Sequence, residues 1–283
     1  MISASVYAVY GGMILIGLAL PILLALLWLK KTRQPVSVVL TGALVFFLFA
    51  IVLESLPKLL LFQTNNPVGL FVMSDTFRYM AIAALLAGIF EESGRFLAFK
   101  LVLKKRSQRE TAISYGIGHG GCEVMYLLVL GGVQYLTYAL LINAGQFDTI
   151  LAQLSAVSPE QAAALEAIPQ TLAETSFVTL LLAVMERVSA LLIHLSCSII
   201  VFKAAREQGK SWLYPLAILL HAAFDMAAAC YVSGIITNLY LFETGLLTVA
   251  LAFFVICWNG LYRKMPAVTV SEVNLADYMP QQG

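Results

Sequence analysis

The sequence predicts an all-α polytopic membrane protein of about seven transmembrane helices, with the N-terminus outside and the C-terminus cytoplasmic. Three features of the chain lead there. Its 283 residues are 60% hydrophobic and 12% charged, with a mean hydropathy of +0.87, whereas soluble domains are nearer half apolar and a quarter charged. Seven stretches reach the roughly 20 apolar residues that cross a hydrocarbon core. Basic residues gather after every second stretch, the bias that orients membrane proteins.

The first stretch, 6–29, has no basic residue ahead of it and is followed by Lys30, Lys31 and Arg33. It therefore reads as a retained span and not as a cleaved signal peptide. The second, 36–62, is long enough for a tilt, a kink or a short interfacial turn, which Glu54, Pro57 and Lys58 suggest. The third, 79–103, is followed by Lys104, Lys105, Arg106 and Arg109, with Lys100 at its end. The fourth is 111–143. The loop 144–174 carries Asp148, Glu160, Glu166 and Glu174 and no basic residue. Within it, "SPEQAAALEAI" predicts a short surface helix with Ser158 as cap and Pro159 in the first position. Stretches 175–203, 212–232 and 239–262 complete the set, with Lys203, Arg206 and Lys210 after the fifth and Arg263 and Lys264 after the seventh. Thirteen of the 17 Lys and Arg then share one side. Residues 1–264 form a single transmembrane domain, and 265–283 a short, polar, flexible cytoplasmic tail.

The net charge of +1 gives no support for a nucleic-acid partner. Cys122, Cys197, Cys230 and Cys257 lie scattered in apolar segments without a CxxC pair, so they read as buried thiols and not as disulfides or a cysteine metal site.

Ionisable residues inside a membrane are costly, and by default they indicate function. Here they form a set. The third span holds Glu91, Glu92 and Arg95; the fourth, His119 and Glu123; the fifth, Glu186, Arg187 and His194; the sixth, His221 and Asp225. All three histidines of the chain belong to it. Counted from the cytosolic ends of their helices, Glu92, His119, His194 and His221 sit roughly 12–17 Å deep at 1.5 Å per residue. That common level in the cytosolic half predicts a shared site reached from the cytosolic side. Glu91 with Arg95, His119 with Glu123, and His221 with Asp225 are spaced i,i+4, on one face of each helix. Gly116, Gly118, Gly120 and Gly121 flank His119 and allow close helix approach. Structural roles compete for each residue. Glu91 and Arg95 can be an ion pair that holds the bundle, Glu123 and Asp225 can simply orient imidazoles, and Arg187 can neutralise a buried carboxylate.

Three imidazoles and a carboxylate match a catalytic zinc site with three protein ligands, here His119, His194 and His221, and an open position for water. A neighbouring glutamate would take the water's proton and pass it on. The same groups could also work without metal, a buried glutamate activating water while histidines stabilise the oxyanion. The sequence leaves both open. It has no HExxH, GxSxG or GxGD signature.

The order EExxR (Glu91, Glu92, Arg95), HxxxE (His119, Glu123) and HxxxD (His221, Asp225) resembles the PrsW proteases, with EExxK, FxxxE and HxxxD. It also resembles the type II CAAX prenyl proteases of the same superfamily, with EExxxR, FxxxH and HxxxN or HxxxD; Tyr115 then takes the Phe position. The E-R-x6-H of span 5 (Glu186, Arg187, His194) and the HGGxE of span 4 are most similar to the YhfC family of bacterial membrane proteins. The resemblance covers 79–232. It implies a multi-pass protein of the bacterial plasma membrane that is an intramembrane endopeptidase of glutamate or metallo type, acting on a membrane-protein or lipidated peptide substrate. By this pattern Glu91 is the water-activating base, His119 and His221 bind metal or the oxyanion, Asp225 supports the tetrahedral intermediate, Arg95 holds Glu92, and His194 is a third metal ligand. Two departures stand out: the EExxR spacing is one residue shorter than in the CAAX proteases, and His119 replaces the PrsW phenylalanine. The same superfamily contains a scaffold subunit without proteolytic activity. A transporter or metal carrier using the same His, Glu and Asp groups is the alternative from another class, although no internal repeat supports it. The oligomeric state is not readable.

Overall fold

The computed structural model describes residues 1–267, the side chain of Glu160 apart; of the expected tail, 268–283 lie outside the described residues. Helices make up the described chain, with no strand among its residues. Among the described residues six helices are long and apolar enough to cross a membrane, and a seventh span arises if two helices bent by 106° count as one. The protein is therefore a multi-pass membrane protein, as the hydropathy predicts.

Helix α1 (Ala4–Thr32) is the first span. Helix α2 (Val36–Phe46) continues through a π-helical segment, Phe47–Leu53, into α3 (Ser55–Leu61). The wider turn shows in the Glu54 amide, which donates to Phe49 O five residues back. This is the irregularity that the length of the second stretch and its Pro57 predict. A short helix α4 (Pro67–Met73), capped by the Asn66 side chain, meets α5 (Thr76–Leu97) at the 106° bend. The Asp75 carboxylate caps α5 by accepting from the Arg78 amide at 2.7 Å. Helix α5 carries too many charges to pass as a span on hydropathy alone; it ends in a second π-helical segment, Ala98–Val102. Helix α6 (Glu110–Asn143) follows.

The loop after α6 contains the expected short helix and two more beside it. It folds into α7 (Phe147–Val157), α8 (Pro159–Glu166) and α9 (Ile168–Glu174). Pro159 does start α8, but the Ser158 side chain makes no capping bond. The last three helices are α10 (Phe177–Arg206), α11 (Leu213–Val232) and α12 (Leu239–Gly260).

Helix α10 is the axis of the bundle. It packs against α1, α5, α6, α11 and α12, and every residue from Ile193 to Ala205 is buried. Helix α6 packs on α1, α2 and α10, and α5 on α11. Glycines make the tightest crossings. A Cβ on Gly118 would lie 1.9 Å from Val39 O, and one on Gly42 2.2 Å from Tyr115 O, so α2 and α6 meet backbone to backbone. Gly120 brings α6 against His194 of α10, its Cβ position 3.0 Å from that side chain.

The basic segments converge at one end. Arg206 donates to Leu103 O and Arg106 O, the Arg109 amide donates to Pro266 O at 2.9 Å, and Trp28 Nε1 donates to Ser114 Oγ at 3.0 Å. Met265 is buried there, so the first residues of the expected loose tail are docked on the bundle. At the other end the Ile2 amide donates to Asn143 Oδ1, and Tyr10 meets Thr175.

Candidate functional site

All ten ionisable residues singled out by the sequence come together where α5, α6, α10 and α11 meet. Glu91 is at the centre. His119 Nε2 donates to Glu91 Oε2 at 2.8 Å. His194 Nδ1 lies 3.9 Å from the same oxygen, and His221 Nε2 lies 3.9 Å from Glu91 Oε1. The imidazoles are neighbours, with ring centroids 5.0 Å apart for His119 and His194 and 5.3 Å for His194 and His221.

Carboxylates fix the histidine tautomers. His221 Nδ1 donates to Glu92 Oε1 at 2.7 Å, which leaves the lone pair of Nε2 facing Glu91 and Asp225. Asp225 Oδ2 is 3.4 Å from that nitrogen. His194 Nε2 donates to Glu123, which leaves the Nδ1 lone pair facing Glu91. Arg95 Nη2, 3.2 Å from His194 Nδ1, uses this lone pair as an acceptor. A carboxylate holding one ring nitrogen while the other points at a common centre is the arrangement found around metal-binding histidines.

Two guanidiniums close the network. Arg95 pairs with Glu92 at 2.9 Å, both side chains 0% accessible. It also donates to His194 O at 2.8 Å and to Ser198 Oγ. Arg187 joins Glu123 at 2.7 Å and Glu186.

The partnerships differ from the spacing-based expectation in three places. Arg95 pairs with Glu92 at i,i+3 and not with Glu91 at i,i+4, because Glu91 turns to the histidines. Glu123 does not meet His119 on its own helix, because α6 aims it at α10, where it takes His194 and Arg187. The expected set of three histidines is also not the set that converges. His119 spends Nε2 on Glu91, and its Nδ1 accepts from Tyr115 OH at 3.5 Å. The ligand atoms that lie within 4.8 Å of one another belong to Glu91, His194 and His221. Glu92, Cys197 and His221 form a second such group, but Glu92 is already held by Arg95 and by His221 Nδ1.

A divalent cation fits the first group on two grounds. Zinc with ligand bonds of about 2.0–2.2 Å places ligand atoms roughly 3.4 Å apart in a tetrahedron; here each imidazole is 3.9 Å from a different oxygen of Glu91, and the three ligand atoms lie within 4.8 Å of one another. The charge also calls for one. Among the described residues the carboxylates of Glu91, Glu92, Glu123, Glu186 and Asp225 outnumber the guanidiniums of Arg95 and Arg187, with three imidazoles as their other partners, and uncompensated buried charge is costly.

The cavity opens away from the basic end, which corrects the expected cytosolic-side access. On the basic side of the histidines, Arg95, Tyr115, Phe99, Phe202 and Ser198 fill the bundle, with Phe99 tilted at 53° against Tyr115 and edge-on to Phe202. The cavity walls run the other way, through Glu123, Glu186, Arg187, Ala190, Asp225 and Ala228. Side-chain accessibility rises along that path, from 0% at Glu92 to 39% at Asp225 and 40% at Glu186.

Three buried acids among the described residues were not singled out: Glu54, Glu243 and Glu110, the last at the start of α6 beside Arg109. Glu243 lies buried on α12, and Glu54 is buried with Lys58 at 2.6 Å. The only signal for Glu243 was an acid in an apolar stretch; Glu54 read as part of a turn.

The family model for the YhfC intramembrane metalloproteases matches residues 16–246, most of the chain and all of this site. The chain belongs to the YhfC family. It is also 32% identical over 223 residues to the uncharacterized membrane protein YhfC of Bacillus subtilis (strain 168), covering 79% of this chain and 84% of that protein. No solved structure matches the chain significantly.

Proposed function

We propose that this member of the YhfC family is an intramembrane metallopeptidase of the bacterial plasma membrane. Glu91, His194 and His221 would hold the metal, zinc by the chemistry of the set, and Asp225 would act as the proton acceptor. One observation carries this reading: two imidazoles held at one ring nitrogen by Glu92 and Glu123, with the other nitrogen of each facing a third ligand, Glu91. A zinc ion there would supply Lewis acidity, polarising the scissile carbonyl and acidifying water.

The protein's own groups divide the remaining work. Asp225, the most accessible acid beside the histidines, has His221 at 3.4 Å and room in the cavity; it takes the proton of the attacking water and returns it to the leaving amine. His119 holds Glu91 in place from the side away from the cavity. Arg187 offsets Glu123 and Glu186 at the wall and offers donors to a peptide carbonyl. Arg95, Tyr115 and the phenylalanines behind them exclude water from the basic end.

The test is cleavage of membrane-embedded polypeptides in proteoliposomes by wild type, Asp225→Asn and Glu91→Gln. Asp225→Asn should retain zinc and lose about 10²–10⁴-fold in rate, the usual weight of a general base. Glu91→Gln should lose both. Full cleavage by either variant would overturn the assignment of that residue, and cleavage by neither wild type nor variants, with metal-ion flux instead, would favour a carrier.

A further inference from the structure

Helices α11 and α12 both pack on α10 but splay from one another. Between them runs an apolar groove of about 670 Å³, walled by Ala223, Phe224 and Ala227 of α11 and Gly245, Leu246 and Val249 of α12. Stacked Tyr231 and Phe242, 4.9 Å apart, bridge it near the connecting turn, and Phe224 with Phe253, 5.5 Å apart, bridge it deeper in. Val249 on its rim is exposed, on a face that lipid would cover. Phe224 and Leu246 also line the polar cavity of the site. Groove and cavity thus adjoin across these two side chains, the groove apolar and the cavity polar.

We propose that the substrate is admitted laterally: an extended apolar segment of a membrane-embedded polypeptide lies between α11 and α12, and its backbone passes Phe224 and Leu246 into the cavity. The inference rests on the peptidase reading of the site and adds which molecule reaches it and by what route. The geometry selects an unwound segment. The polar cavity holds only about 90 Å³, whereas an intact helix is about 10–12 Å across. Backbone groups freed from a helix inside the bilayer need partners, and Arg187, Glu186 and Asp225 supply them at the inner end of the groove. A lipid acyl chain would fill the apolar part and bring nothing to the polar part. The plugged basic side offers no competing path.

Disulfide cross-linking in proteoliposomes tests this without turnover. Gly245 can take a thiol, because a Cβ there meets nothing within 4 Å. Gly245→Cys is compared with Leu26→Cys on the exposed face of α1, in a background where Cys122 and Cys230 are replaced by alanine. The probe is a lysine-flanked leucine–alanine transmembrane peptide with a central Gly-Gly pair and one adjacent cysteine; a thiol-terminated C16 fatty acid is the lipid probe. The peptide should couple to the Gly245→Cys variant at least about tenfold faster than to Leu26→Cys, the ratio given by ~1.4 kcal/mol of preferential docking, and the fatty acid should show no such preference. Equal peptide rates at both positions would overturn lateral admission. A preference shown by the fatty acid and not by the peptide would make the groove a lipid site and overturn it too. An inactive peptidase would leave the coupling unchanged, so failure of the peptidase reading is distinguishable.

Discussion

Replacing Glu92 by alanine removes the carboxylate that pairs with Arg95 at 2.9 Å where both side chains are 0% accessible. Leaving one partner of a buried ion pair uncompensated costs ~3–5 kcal/mol. The same substitution removes the acceptor that holds His221 Nδ1 at 2.7 Å, and loss of such a support lowers metal affinity about 10–100-fold. The two effects separate in Glu92→Ala combined with Arg95→Met. With both charges gone, most of the stability should return, because an apolar pair in place of a buried ionic one is often neutral. Ser198 Oγ already donates to His194 O at 2.7 Å, so methionine leaves that carbonyl bonded. His221 stays unsupported, so the metal affinity should not return. Stability is read from helix content during SDS titration in mixed micelles, and affinity from zinc competition with a chelator. A double variant as unstable as Glu92→Ala would refute the ion-pair reasoning. Restored zinc affinity in it would refute the role given to Glu92 in orienting His221.

Glu123→Ala should weaken zinc binding about 10–100-fold by releasing His194 Nε2, read by the same competition; unchanged affinity would refute the role given to Glu123 in orienting His194. Gly118→Ala places a methyl group 1.9 Å from Val39 O and should destabilise the α2–α6 crossing by ~1–3 kcal/mol, the usual cost of overpacking; an SDS midpoint equal to wild type would contradict that contact. In sealed vesicles, Ala228→Cys in the cavity wall should react with an impermeant maleimide from the side that labels Gly145→Cys, and not from the side that labels Lys104→Cys. Labelling from the Lys104 side would show that the basic end is open.

The spans were legible because hydropathy is a local property. Even α5 was visible despite Glu91, Glu92 and Arg95, since its remaining residues are apolar. The site was legible as a membership list: the residues that a bilayer would reject are the ones brought together. Spacing did not give their partners, although the resemblance implied that Arg95 holds Glu92, as found. Glu91 and Glu92 both lie within one helical turn of Arg95, and i,i+3 and i,i+4 neighbours are about equally close; His119 and His221, on other helices, decide which acid Arg95 keeps. Glu123 shares a face of α6 with His119, yet the Gly120 contact draws α10 against that face, and His194 takes the carboxylate. The direction of access was hidden for a related reason. Depth along each helix can be counted, but which side is filled depends on Phe99, Tyr115 and Phe202 meeting from three helices.

Metal content of the detergent-purified protein tests the central claim most directly, with wild type beside His194→Ala, His221→Ala, Glu91→Gln and His119→Ala. The expected result is about one zinc per chain in wild type, the occupancy of one three-ligand site. That zinc should be lost in the first three variants and largely kept in His119→Ala, since His119 only supports Glu91. Wild type free of metal after zinc loading, or zinc that depends on His119 as strongly as on His194 and His221, would contradict the site built from Glu91, His194 and His221.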